Sequence, residues 1–137
     1  MKSLLFSALL LVGCASPPPP ATPAQWSSYN VQANHDKHIS LEGYMRLPAA
    51  AMISDTMLID LYQDKECKTK PLPVSMRIGS GKNQVEKPPK DYKLSDLKLH
   101  CDDGSLIGPE QKVRVQGKFL FSPDSCILFG PTYVTKI

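Results

Sequence analysis

From His38 onward, apolar and polar residues alternate strictly. Ile39, Leu41, Gly43, Met45 and Leu47 fall on one face, and His38, Ser40, Glu42, Tyr44 and Arg46 on the other. A period of two is the mark of a strand with one face buried. Thr56 to Tyr62 repeats it with Met57, Ile59 and Leu61 inward, and Val74, Met76 and Ile78 repeat it more briefly. Between Gly79 and Tyr92 the chain is rich in glycine, lysine and proline, and the pair Pro88-Pro89 excludes a regular ladder, so a long loop is expected. Leu97, Leu99 and Cys101 alternate again and end at the turn residues Asp102-Asp103-Gly104. The clearest strand sets Val113, Val115, Gly117, Phe119 and Phe121 against Lys112, Arg114, Gln116 and Lys118. A last strand from Cys126 to Ile137 is interrupted by Gly130-Pro131, where the missing donor of proline predicts a bulge or an edge.

Five main strands, one extra short piece and almost no helix predict an all-β domain. Glycine weakens a strand unless the backbone must bend or another strand must come close, so Gly43 and Gly117 favour a small closed barrel over a flat sandwich. The spacing Gly108-x-x-x-x-Val113-x-Val115-x-Gly117 resembles the entry to the fourth strand of bacterial OB domains, and the resemblance spans Lys37 to Ile137. It implies an OB-like barrel of five to six strands, with Gly43 and Gly117 on neighbouring strands. Leu97–Cys101 is then the third strand, leaving Asp102 to Gln111 room only for a turn where OB domains carry a helix. An immunoglobulin-like β-sandwich is the alternative.

The N-terminus is organised differently. Lys2 precedes an apolar run, Leu4 to Val12, that is too short to span a bilayer as a mature helix, and Leu11-Val12-Gly13-Cys14 closes it. This resembles the lipobox of bacterial lipoproteins, which implies cleavage before Cys14 and attachment of diacylglycerol to its sulfur. Ala15 after the cysteine resembles outer-membrane sorting, so the expected location is the periplasmic face of the outer membrane. Residues 1–13 are the expected signal peptide. Residues 14–30, with four consecutive prolines, are an expected tether that extends as polyproline II, and residues 31–137 are the folded domain.

Composition narrows the chemistry. The net charge is +3, and loss of Lys2 with the leader leaves +2, too mild to argue for nucleic acid. With Cys14 lipidated, Cys67, Cys101 and Cys126 remain, enough in an oxidising compartment for one disulfide and one free thiol. The OB topology implies a Cys67–Cys126 bridge, with Cys67–Cys101 as the alternative. No spacing such as C-x-x-C or H-x-x-x-H suggests a metal, and no cofactor is implied. His35 and His38 read as a polar lead-in, and Asp102-Asp103 as turn residues. Without G-x-S-x-G or another nucleophile set, the expectation is a protein that is not an enzyme.

Binding chemistry is the remaining class. If the OB ligand face is used, Tyr44, Arg46, Tyr62, Lys98 and His100 are its outward candidates, since aromatic and basic groups together stack on and pair with sugars or bases. The fourth-strand cations Lys112, Arg114 and Lys118 form a second basic face. The sequence thus predicts a lipid-anchored binding or scaffolding module that contacts another envelope protein. Peptidoglycan or another glycan is the alternative partner, and nucleic acid a weaker one.

Overall fold

The computed structural model describes residues 18–51 and 53–137, so the expected signal peptide and the expected lipidation site Cys14 lie outside the described residues. The alternating segments form strands β2 (His38–Arg46), β3 (Thr56–Tyr62), β4 (Leu72–Ile78), β8 (Val113–Leu120) and β9 (Ile127–Lys136). Their inward side chains make one core, in which Ile39, Leu41, Met45, Ile59, Leu61, Val74, Val115, Phe119 and Leu128 are all at most 1% exposed. The five strands close on themselves in the order β2-β3-β4-β9-β8-β2. Every contact in the ring is antiparallel except β4 with β9, which is parallel at Val74 and Leu128. The domain is therefore an all-β, small closed five-stranded barrel with four additional short strands.

Closure depends on β2 serving two neighbours. Its residues His38 to Gly43 pair with β8, and Tyr44 to Arg46 pair with β3. Gly43 stands at the changeover, where a Cβ would run into the backbone carbonyl of Tyr62. Gly117 does the same on the neighbouring strand, since its Cβ would lie 2.7 Å from the Phe129 carbonyl oxygen. Opposite Gly117 the β8–β9 register slips, Gln116 facing Tyr133 and Lys118 facing Phe129, so Gly130, Pro131 and Thr132 bulge together. The irregularity expected at Gly130-Pro131 is present.

The third barrel strand differs from the expectation. It is β4, not Leu97–Cys101. Period-two alternation identifies a strand but not its neighbours, and Leu97, Leu99 and Cys101 are buried in a small accessory sheet. That sheet comprises β5 (Gln84–Val85), β6 (Leu99–His100) and β7 (Leu106–Ile107), and it continues from the end of β4. The region between Gly79 and Tyr92 thus carries one short strand after all, paired on both sides. Val85 is fully buried, and its inward pull brings Gln84 and Val85 beside Arg77 and Ile78.

Part of the segment expected as a tether is docked on the barrel. The two-residue strand β1 (Thr22–Pro23) lies parallel to β2 at Ile39 and Ser40, along the edge of β2 that β3 does not reach. Trp26 meets Tyr29 edge to face at 5.4 Å between ring centroids, and Tyr29 meets the buried Phe119 at 5.8 Å. The Trp26 indole also donates to the Glu42 carbonyl at 2.7 Å, and the Gln116 amide to the Pro19 carbonyl at 2.8 Å.

Gly43→Ala and Gly117→Ala each force a backbone shift at a strand contact. Each is expected to lower stability by about 1–3 kcal/mol, the usual range for overpacking, measured by urea unfolding.

Candidate functional site

The outward positions of β2 and β3 form a compact group. Tyr44 lies directly across from Tyr62, and Arg46 from Asp60, all half-buried, with Leu58 43% exposed beside them. Cross-strand partners on one face are the closest side-chain neighbours a sheet provides, so the pairing places two phenols, a guanidinium and a carboxylate together. Burial pushes the Asp60 carboxyl above the ordinary aspartate range. Burial also raises the Tyr62 phenol, with the Asp60 and Cys67 charges adding to it and Arg46 opposing. Cys67 is raised chiefly by burial, against which the adjacent Arg46 guanidinium acts. The Arg46 Nε is itself buried without a hydrogen-bond partner.

Lys98 and His100 do not join this group. Residue pairing runs from Thr56 to Arg77, to Gln84 and then to His100, which is three strand steps, or about 14 Å. Thr56 is itself four residues, about 13 Å, along β3 from Asp60. The five candidates thus divide into Tyr44, Arg46 and Tyr62 on the barrel wall, and Lys98 and His100 on the accessory sheet. There His100 Nε2 lies 3.8 Å from the Glu86 carboxylate.

The cysteines require a correction: Cys67, Cys101 and Cys126 are all free, so neither expected disulfide forms. Cys101 is fully buried below the Asp102–Gly104 turn. Cys67 occupies a left-handed turn after β3, with φ 56°, and its thiol faces the Lys65 carbonyl. Cys126 precedes β9 and donates to the Asn30 side chain. Each thiol sits in its own local environment.

Other polar residues are held by structural contacts. Asp103 accepts from the Ser105 amide and hydroxyl, which keeps its carboxyl below the usual range. Asp102 accepts from Asn83. His35 Nδ1 accepts from the Phe121 amide, and His38 contacts Gln116. Among the described residues no group of three or more His, Cys, Asp or Glu side chains could hold a metal ion. On the basic face Arg114 is paired with Glu42 at 2.9 Å, in a groove that the Ala21–Ser27 segment overhangs.

A second concavity was not anticipated. Between β4 and β9, beside the bulge, a cleft of about 490 Å³ is lined by Arg77, Lys82, Phe129, Pro131 and Tyr133 with several polar groups. Its signal in the sequence was the Gly130-Pro131 break flanked by aromatic residues, which marked only an irregular strand until β4 was known to be its neighbour.

With no disulfide to break, thermal unfolding of the domain is expected to be the same with and without reductant. Asp60 titrates differently. Its folded-state pKa lies above the unfolded value, so the stability contributed by the protonated form is present at low pH and lost as pH rises through the folded value. Asp60→Asn is therefore expected to raise the melting temperature at neutral pH, and the gain over the native chain should vanish below about pH 3.9, the ordinary aspartate value. Compared with models of protein families, with curated proteins and with solved structures, the chain matches none of them.

Proposed function

We propose that this chain is a lipid-anchored, non-enzymatic module of the bacterial envelope that binds another envelope protein through the outward face of β2 and β3. The observation that carries the reading is the Tyr44, Arg46, Asp60 and Tyr62 group on two rigid barrel strands, with Leu58 exposed at its border. Tyrosine and arginine are the residues most enriched at binding hot spots, because they combine a large contact area with directed hydrogen bonds. A partner carboxylate or carbonyl reaching the unpartnered Arg46 Nε would relieve an existing desolvation cost.

An OB-like assignment is supported by the ring order of the five strands, numbered along the barrel as 1-2-3-5-4-1, with the third and fifth parallel. In place of the helix usual between the third and fourth strands stand β5, β6 and β7. The lipid anchor rests on Leu11-Val12-Gly13-Cys14, and the outer-membrane location on Ala15. With the chain docked from Pro19 onward, only the five residues from Cys14 to Pro18 are left as spacer. At about 3.1 Å per residue they reach about 16 Å, so the barrel is held near the lipid surface.

Crosslinking in intact cells followed by mass spectrometry tests this. The native chain is expected to capture one dominant envelope protein. Capture should fall at least tenfold when Tyr44 and Tyr62 are both alanine, as expected for paired hot-spot residues each contributing about 1–2 kcal/mol, and should weaken with Cys14→Ala. Reproducible absence of a protein partner, or capture indifferent to the tyrosines, would overturn the reading.

A further inference from the structure

The cleft between β4 and β9 has a composition that the β2–β3 face does not share. Phe129 is 49% exposed, Pro131 is exposed and Tyr133 half-buried, all on the outward side of β9 around the bulge. Arg77 and Lys82 stand on the opposite wall, and neither is in an ion pair among the described residues. Lys118 faces Phe129 directly across the β8–β9 ladder, adding a third cation beside the aromatic surface. No aspartate or glutamate lines the cleft. The walls are fixed from beneath: the Thr132 hydroxyl donates to the Ser75 carbonyl at 2.7 Å, and Asn83 accepts from the Val134 amide at 2.8 Å while donating to Asp102. A rigid cleft needs no ordering when it is filled, so most of the contact energy appears as affinity.

From this arrangement we propose that the cleft is a binding site for an acidic saccharide. The apolar face of a sugar ring would rest on Phe129 and Tyr133, and its carboxylate or phosphate would be held by Arg77 with Lys82 beside it. Flat aromatic surface accounts for the ring. A planar guanidinium accounts for the acid, because it meets two oxygens at once. A volume of about 490 Å³ suits one or two rings, not an extended chain. A nucleic-acid strand would need a longer track of cations than Arg77, Lys82 and Lys118 provide. The site is distinct from the tyrosine pair of the proposed protein-contact face, since Tyr62 lies six residues, about 20 Å, along β3 from Thr56 at the cleft edge, with Leu58 between them.

Titration of the purified full chain in detergent, followed by amide chemical shifts and calorimetry, tests the proposal. The probes are the disaccharide of N-acetylglucosamine and N-acetylmuramic acid for a carboxylate source, N-acetylglucosamine 1-phosphate for a phosphate source, neutral chitobiose, and an oligothymidylate. At least one acidic sugar is expected to bind at millimolar concentration or below, to shift Lys82, Phe129 and Tyr133 and to leave Tyr44 and Tyr62 unmoved. Arg77→Gln should weaken that sugar roughly tenfold, the loss of one charge-assisted pair, without changing chitobiose. Phe129→Ala should weaken both roughly fivefold. Both side chains are exposed, and unchanged Trp26 fluorescence would establish that the variants keep their fold. Failure of both acidic sugars to bind, affinity equal to that of chitobiose, or binding of the oligothymidylate alone would overturn the proposal.

Discussion

The structure depends on a single strand that must satisfy two neighbours. A flat strand paired along its whole length with both would extend the sheet, not close it. β2 instead gives its first half to β8 and its second half to β3, and the backbones come close enough only because Gly43 offers no Cβ to the Tyr62 carbonyl. Two consequences follow. The inward residues on both halves reach one core, and the unpaired edge beside Ile39 and Ser40 is left for β1. The exposed edge that a bent strand creates is thus covered by the chain's own N-terminal segment, which protects it from pairing with another molecule.

Closing a small barrel also decides where polar groups are desolvated. Outward residues on adjacent strands crowd where β2 and β3 meet, and there Asp60, Tyr62 and Cys67 all have their charged forms disfavoured chiefly by burial. Asp60 lies across from Arg46, yet the two form no salt bridge. A guanidinium and a carboxylate left half-desolvated and unpaired cost free energy in the isolated domain. Such a cost is reduced when a partner supplies the missing hydrogen bonds, which is why this face carries the protein-contact proposal.

Much of the fold was legible because the core is one-sided. Ile39, Leu41, Met45, Met57, Ile59 and Leu61 announce their strands by alternation, and Gly43 and Gly117 announce the bend. What alternation could not supply was pairing across long sequence separations. Leu97, Leu99 and Cys101 are as periodic as Leu72, Val74 and Met76, and only the packing of Val85 and Ile107 assigns the first set to the accessory sheet. That choice also decided the site. Lys98 and His100 were grouped with Tyr44 and Tyr62 through a third strand that proved to be elsewhere, while Arg77 and Phe129 went unrecognised because their meeting requires the parallel contact of β4 with β9. The disulfide expectation failed because a barrel topology fixes the ends of strands and not the turns beyond them: the Cys67 thiol faces the Lys65 carbonyl and the Cys126 thiol faces Asn30.

The barrel ring orders its surfaces relative to one another. In a ring of five strands, the strand opposite the β2–β8 seam is β4. The docked N-terminal segment lies over β2 and β8, through Ala24 on Ser40, Trp26 on Glu42 and Pro19 on Gln116. Under the proposed lipid anchor, a spacer of only five residues would hold that side toward the membrane, and the cleft flanking β4 would open away from it. A short leash and a docked strap would together do what a long flexible tether could not, since they would restrict the orientation of the barrel as well as its distance. Lys112 and Arg114, which line the groove under the strap, would face the lipid surface, Arg114 already paired with Glu42, whereas Arg77 and Lys82 would face the periplasmic space where an acidic wall saccharide would be met. The asymmetry is built by β2: the bend that closes the barrel is also what leaves the edge on which the strap docks.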